Sequence, residues 1–355
     1  MVKDESMRIS YEELWSYCYK ILVSAGTSDS EAHIVSDVLL WTEFIERGTN
    51  GLSSRLPLLA ERVNNKLIKS PSEPVFEIKT ETISILNGDN GFGQVNGTIA
   101  MKKAIQVAKD HGVGLVFVNH SNHYGAGAYY CKLAIEENLI GFTTSNAYPK
   151  VAPFGGSKPV LGTNPLSLGC PTGKEYPLLI DMATSAFAQS TVREFQKANK
   201  LLPDDVALDV NGRPTNNPSD VNEGCLLPSG GAKGFSLGIM VELFSGILSG
   251  AGFSFGVGSI WKDQTRGSNT GHFFLALNPA SIMSFNLYLQ RMQSLIEKIE
   301  GVPTYSKTSS VRIPGKIRYD KLKENMENGI CINSSAKSKL NSISIKFKVK
   351  PPWQL

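Results

Sequence analysis

The 355-residue sequence lacks both Gly-x-Gly-x-x-Gly and Gly-x4-Gly-Lys-[Ser/Thr], the phosphate turns of the Rossmann and P-loop folds. A nucleotide, if bound, must therefore be held by another route. Cysteine is sparse: Cys18, Cys131, Cys170, Cys225 and Cys331 are odd in number, scattered and without Cys-x-x-Cys spacing. This excludes a disulfide framework and a structural zinc site, and fits a reducing compartment. No cysteine sits in a nucleophile context, and nucleophilic catalysis is not expected. Internal repeats are absent. The first residues, MVKDESMRIS, are polar, so no secretory signal is read and a cytoplasmic location is expected. One stretch, residues 235–261, is apolar with Gly246 and Gly250 in Gly-x-x-x-Gly spacing, but it holds Glu242 and many glycines. A buried helix followed by a glycine-rich turn is the expectation, and no membrane span.

What is present suits a folded domain: hydrophobic residues make up 41% of the chain and charged residues 19%. The net charge of +4 is unevenly distributed. From Val302 to Leu355 there are 11 Lys and Arg against 3 acids, so the preceding 301 residues carry a net −4. The basic surplus has no interleaved aromatics and predicts no nucleic-acid partner.

The N-terminal part predicts helices. Ser10 with Glu13, and Ser28 with Glu31, have capping-box spacing before apolar stripes. From about residue 80 short β-rich runs appear: ISIL, VGLVFV, IGFTTS, PLLID and later HFFLAL. One helix, GTIAMKKAIQVAKDHG, lies among them, and a long apolar helix is expected near 234–249. Beyond about 280 the chain reads as helical, then basic and loop-rich, with SISIKFKVK alternating well enough for a disordered end or an extra strand. The expected fold class is α/β (α+β), with a helical domain built from both termini (1–78 and 281–355) around a central domain (79–280).

Chemistry concentrates in a few segments. In VNHSNHYGAGAYY, His120 and His123 are three apart, but zinc needs more ligands and nothing in spacing ties His33, His111 or His272 to the pair. No metal site is expected. His123 follows a β-run and precedes Gly125, so it reads either as an acid, base or cofactor contact, or as a packed neutral side chain. Asp181 ends the apolar run PLLID, where a carboxylate needs a partner. It either orients a histidine, accepts from a ribose hydroxyl, or caps the next helix. Arg55, in ERGTNGLSSRLP, is either a bidentate carboxylate anchor or a surface arginine. The glycines at 230–234 beside Lys233 form either an anion cradle or a close helix contact.

Taken in order, HSNHYGAGAYY, VAPFGGSKPVLGTNPLSL, PLLIDMATS, LLPSGGAKGFSLGIMVELFSGILSGA, GHFFLALNP and VRIPGK resemble the malate/L-lactate dehydrogenase-like family over residues 8–345. That family is a non-Rossmann, NAD(P)-dependent group that also holds ureidoglycolate dehydrogenase, 2,3-diketogulonate reductase, sulfolactate dehydrogenase and piperideine-2-carboxylate reductase. The resemblance implies a largely antiparallel or mixed sheet in the cofactor domain, a homodimer, and NAD or NADP as cofactor. It also implies hydride transfer at the α-carbon of a small 2-hydroxy or 2-oxo acid, or of a cyclic imino acid. By motif match the cofactor meets His123, Gly125, the strand end Leu178, Leu179, Ile180, Asp181, Met182, Ala183 and Thr184, then Lys233, Gly234, Pro314, Gly315 and Lys316. Arg55 corresponds to the substrate clamp, and His123 and Asp181 fall at the catalytic centre.

Two departures stand out. The family's early loop reads approximately R-G-x-x-S-H-G-x-x-R-L-P, and its histidine is the proposed proton donor. Here residues 47–57 read RGTNGLSSRLP, one residue shorter, with Asn50 nearest the missing histidine. Loss of a general acid costs on the order of 10²–10⁴ in rate. Ser190 and Thr191 stand where relatives often carry Gly-Lys. Two functions follow: a reductase in which His123, or a water held by Asn50 and Ser53, supplies the proton, or a silent dinucleotide-binding relative acting as sensor or scaffold.

Overall fold

The computed structural model describes residues 7–46, 48–305 and 310–354; Arg47 of the early loop lies outside them. Alternating and continuous apolar runs form one seven-stranded sheet. Its members are β2 (Val75–Ile78), β3 (Ile83–Asn87), β4 (Val113–Ser121), β5 (Ile140–Ser145), β6 (Leu166–Cys170), β7 (Leu178–Met182) and β10 (Thr270–Leu277). The order is β2-β3-β4-β10-β5-β6-β7, with only β3–β4 parallel. The sheet is therefore mixed and mostly antiparallel, as the resemblance implied. Strand β10 is central because nearly every residue from Thr270 to Ala276 is buried, which demands cover on both faces. It lies between β4 and β5 although it follows them by more than 120 residues, and this register sets His272 opposite Val118 and Ser145. Two-stranded pairs join β1 (Arg8–Ile9) to β11 (Ile330–Cys331), and β8 (Ala207–Leu208) to β9 (Cys225–Leu226).

Helices α1 (Tyr11–Ser24), α2 (Asp29–Phe44) and α3 (Leu52–Asn64) pack with α10 (Ser334–Phe347) around Leu14, Leu22, Leu39, Leu56 and Leu340. Both ends of the chain thus feed one apolar core. The capping box at Ser10 forms, the hydroxyl accepting from Glu13 N at 3.2 Å. The one at Ser28 does not: its hydroxyl donates to the Glu31 carboxylate at 2.8 Å instead of capping a backbone N–H, and its own N–H goes to Ser70 Oγ at 2.9 Å. Glu31 also accepts from Ser70 Oγ, and from Ser72 N at 2.8 Å. The tail is likewise corrected. SISIKFKVK contributes to α10 rather than to a strand, since Leu340, Ile343 and Phe347 also satisfy helical spacing and are all buried. Ile345, which alternation would have buried, is exposed.

Helices α4 (Gly93–His111) and α5 (Gly127–Glu136) cover the sheet through Met101, Ala104, Tyr130 and Ala134. Then α6 (Gln189–Lys197) and α7 (Ala232–Glu242) follow, and α7 widens into a π turn, Leu243–Ile247. Burial of Glu242 is offset by Asn164 Nδ2 and Ser254 N, which donate to it at 3.1 and 2.6 Å. The pentads 234–238 and 252–256 read Gly-x-Ser-x-Gly, but Ser236 lies inside α7 and Ser254 in a 3₁₀ turn, so neither forms a nucleophile elbow. Helix α8 (Phe285–Glu300) lies against the β6–β7 edge, with Tyr288 Oη donating to Pro171 O at 2.9 Å, and α9 (Lys316–Asn328) reaches α2 through Asn325 and Phe44 O. Among the described residues no helix is long and apolar enough to cross a membrane.

Candidate functional site

A cleft of about 910 Å³ opens between the strand ends and the terminal helices. One wall is sheet. Where β4 ends, His123 faces the cleft, and its Nδ1 accepts from Gly125 N at 3.2 Å. That bond requires the glycine's left-handed φ of +89°. It also assigns the tautomer: with Nδ1 an acceptor, the neutral ring carries its proton on Nε2. Burial first, then Arg55 and His272, hold His123 well below the ordinary histidine range. The ring is neutral at physiological pH.

Behind it sits His272 of β10, fully buried and stacked on Tyr124 at 4.7 Å. Its Nε2 is 3.1 Å from Asn122 O, and its Nδ1 is 2.9 Å from Ser145 Oγ. Burial takes its pKa down to about 3. The same wall continues to Asp181 at the end of β7, which accepts from Ser167 Oγ at 2.8 Å across the β6–β7 ladder. Gly127 lets α5 start here: a Cβ would lie 2.2 Å from Ser167 Oγ.

The facing wall is loop and helix end. Arg55 Nη2 and Nε donate to Asn50 Oδ1 at 2.8 and 3.3 Å, while its buried Nη1 has no hydrogen-bond partner. Burial and the nearby Arg193 pull Arg55 down to about 10. Both guanidiniums lie over the Trp261 indole, Arg55 at 5.4 Å and Arg193 at 5.1 Å from the ring centroid. Arg62, two turns along α3, fixes the loop that carries Trp261 by donating to Asp263 O at 2.9 Å and Arg266 O at 3.1 Å. Glu43 accepts from Ser53 N and Oγ at 3.1 and 2.6 Å, and burial raises its carboxyl pKa. Ser190 and Thr191 line the cleft at the start of α6.

The structure thus brings Asn50, Arg55, His123, Gly125, Asp181, Met182 and Ala183 to one cleft. The remaining expected positions lie around it. Leu178, Leu179 and Ile180 run back along β7, whose five residues span about 13 Å at roughly 3.3 Å per residue. Pro314–Lys316 meets its start: Leu179 N donates to Pro314 O at 2.9 Å, and a Cβ on Gly315 would be 2.8 Å from Leu179 N. Lys316 lies over Tyr176 and 3.5 Å from Asp320. At the other end, Thr184 O accepts from Ser229 N at 2.9 Å, and Gly234 packs against Thr184 so closely that a Cβ would be 2.7 Å from its carbonyl. Lys233 stands exposed on the first turn of α7. His120 points away, its Nδ1 2.9 Å from Asn119 Oδ1. Among the described residues no three His, Cys, Asp or Glu are grouped to hold a metal.

Sequence reasoning did not single out His272, Arg193, Trp261 or Glu43. His272 was separable from the other histidines only through sheet register. Arg193 and Trp261 are single residues of ordinary type in unpatterned segments.

A mixed, mostly antiparallel sheet with a cleft at its strand ends, and no dinucleotide fingerprint, defines a non-Rossmann α/β class. The malate/L-lactate dehydrogenase family model matches residues 9–341, and the chain belongs to that family. It is 32% identical over 348 residues to the malate/(S)-sulfolactate dehydrogenase of Methanothermus fervidus, covering 98% of this chain and 100% of that one. Ureidoglycolate dehydrogenase (NAD(+)) of Escherichia coli K12 is 32% identical over 311 residues, 87% of this chain and 88% of that one. The crystal structure of malate dehydrogenase from Entamoeba histolytica superposes with a TM-score of 0.91 at 28% identity, covering 98% of this chain and 100% of that one.

Proposed function

We propose that the protein is a nicotinamide-dependent oxidoreductase acting on a small 2-hydroxy or 2-oxo acid. The observation that carries this reading is a half-buried Arg55, its buried Nη1 without a hydrogen-bond partner, sharing one cleft with the neutral Nε2–H of His123 and with Asp181. The residues fit a dinucleotide. Gly230 and Gly231 turn at φ +59° and +65° ahead of α7, with open space beside Gly230 and Lys233 exposed above, which suits an anionic pyrophosphate. Asp181, Met182 and Ala183 line the inner part of the cleft, where a carboxylate accepts from hydroxyl or amide donors.

Bound nicotinamide supplies or accepts hydride at the carbon bearing the oxygen. The chain does the rest. Arg55 grips the substrate carboxylate through the donors Asn50 leaves open, and Asn50 acts as a positioning residue. His123 Nε2–H is directed at the substrate oxygen and stabilises the charge that develops there. Being neutral, it works as a hydrogen-bond donor without first having to be protonated. In the reducing direction a water held at Asn50 and Ser53 gives the substrate oxygen its proton and is re-protonated from solvent, the Ser53 hydroxyl being itself committed to Glu43.

The terminal segments 1–78 and 281–355 act as the supporting helical unit and lend Arg55 and Pro314–Lys316 to the site, and 79–280 supplies the rest of the cofactor and substrate contacts. An apolar face at Ile239, Leu243, Ile247, Leu248, Phe253 and Phe255, each 45–66% exposed, supports a homodimer through α7 and its turn. Free cysteines support a cytoplasmic location. The test is consumption of NADH and NADPH by absorbance across 2-oxo acids and cyclic imino acids. Turnover with 2-oxo acids is expected. Cofactor binding without any turnover would replace this reading with a dinucleotide sensor.

A further inference from the structure

Arg62 is 3% exposed, and its guanidinium is met by three backbone carbonyls: Nη1 donates to Ile260 O at 3.3 Å and Asp263 O at 2.9 Å, and Nη2 to Arg266 O at 3.1 Å. Withdrawing a guanidinium from water is costly, and neutral carbonyls offset less of that cost than a carboxylate would. What the arrangement secures is the place of one segment, residues 258–267. Its two ends touch: Gly258 N donates to Ser268 O at 2.8 Å, and a Cβ on Gly258 would be 3.2 Å from Gly267 O. Inside it, Ser259 Oγ accepts from Trp261 N and Lys262 N at 3.3 and 3.1 Å, and Asp263 accepts from Thr265 N and Arg266 Nε at 3.0 and 2.9 Å. Closed at its base and bonded within, the loop is one body, and Arg62 docks that body on α3. Arg55 lies seven positions earlier on the same helix, on the same face and about 10 Å away at roughly 1.5 Å per residue. The loop returns to it through the Trp261 indole, 5.4 Å from the Arg55 guanidinium. Asn50 Oδ1 accepts from Arg55 Nη2 and Nε at 2.8 and 3.3 Å. Two donors on one oxygen form a pivot, so Asn50 alone leaves the plane of the guanidinium undetermined. The indole on its face supplies that constraint.

We propose that Arg62 is a positioning residue for substrate binding: by docking the 258–267 loop on α3 it holds the Trp261 ring against Arg55 and sets the angle at which Arg55 meets the substrate carboxylate. This rests on Arg55 being the carboxylate anchor of the proposed reductase. An anchor on the carboxylate holds ground state and transition state alike, so its misalignment acts on KM before kcat.

The experiment uses the full chain and two readouts: steady-state kinetics on the best 2-oxo acid of the panel, and calorimetric titration of oxamate with the reduced nicotinamide cofactor present. Arg62→Gln and Trp261→Ala should each raise KM and the oxamate Kd about tenfold, in the range of a desolvated cation–π contact, with kcat changed less than about threefold. Trp261→Phe keeps a ring face and should recover most of the loss. Arg62→Lys keeps the charge without the fork and should recover only part. Because both residues act through one contact, Arg62→Gln combined with Trp261→Ala should be no worse than either alone. Should Arg62→Gln not fold, Arg62→Lys crossed with Trp261→Ala carries the same cycle. Additive losses in the cycle, a KM that Arg62 variants leave unchanged, or a fall in kcat as large as the rise in KM would overturn the proposal. Failure of every 2-oxo acid to turn over would defeat the reductase reading while oxamate still decides the role of Arg62. A Kd raised by both variants supports it, and a Kd indifferent to them overturns it. No oxamate binding to the native protein would overturn the carboxylate anchor and this proposal together.

Discussion

The two walls of the cleft hold polar groups out of water by opposite means. On the strand side the catalytic candidates are answered from within: His123 Nδ1 by Gly125, His272 by Asn122 and Ser145, Asp181 by Ser167. On the loop side charge is left unanswered, with Arg55 Nη1 orphaned and Arg193 adding repulsion. A satisfied wall is a rigid scaffold for chemistry common to many substrates. An unsatisfied wall awaits a particular one, and it carries Asn50, Ser190 and Thr191, the positions where the resemblance led us to expect other residues. Chemistry and selectivity are therefore mounted on different architecture.

That division is open to direct attack. The largest effect belongs to the unsatisfied wall: Arg55→Ala should lower kcat/KM on the order of 10³-fold, because truncating one partner of a desolvated charge pair strands the other. Steady-state kinetics with a 2-oxo acid would show it, and a loss under tenfold would mean that the carboxylate is held elsewhere. On the satisfied wall, His123→Phe removes one directed donor, and kcat should fall about 10²-fold. Since the ring acts in its neutral form, the native kcat should not decline between pH 6 and 8 from titration of His123. A kcat profile falling with a pKa near 6.5 would show a protonated ring instead.

The third prediction concerns stability. His272 titrates near 6.5 in the unfolded chain but at about 3 in the fold, so between those values the unfolded chain binds the extra proton and stability falls as pH falls. From pH 6.5 to 5 the loss should be about 2 kcal/mol, at 1.36 kcal/mol per unit. Denaturant unfolding at the two pH values would measure it, and His272→Gln should flatten the slope. The smallest effect lies on neither wall. Ser10→Ala breaks a solvent-facing capping box and should cost about 1 kcal/mol, with kcat unaltered. A change in kcat there would mean that the terminal helices transmit to the cleft.

The strand wall was largely legible in the sequence because period-two runs ending in Gly, His or Asp reveal where strands stop, and cleft residues sit at such stops. PLLID and VGLVFV located Asp181 and His123 in this way. The loop wall was legible only at Arg55 and, through the resemblance, at Asn50, Ser53 and Ser190-Thr191. Arg193 and Trp261 are 68 residues apart, and nothing in either segment's periodicity announces that they share a ring. His272 shows the same limit inside the sheet, since its position depends on β10 entering between strands made long before it. Ser28-Glu31 and SISIKFKVK show a different limit. There the local pattern admitted two answers, and partners far along the chain, Ser70 and Ser72 in one case and the terminal-helix core in the other, chose between them.

The pairing of β1 with β11 has a consequence for synthesis. Ile9 aligns with Ile330, Tyr17 Oη donates to Leu340 O at 3.0 Å, and Leu340 and Ile343 complete the core around Leu14. Residues 8–68 therefore cannot finish folding until residues 330–347, made about 260 residues later, have left the ribosome. Through that interval their apolar faces stay uncovered, and the nascent chain depends on chaperones or on speed to escape aggregation.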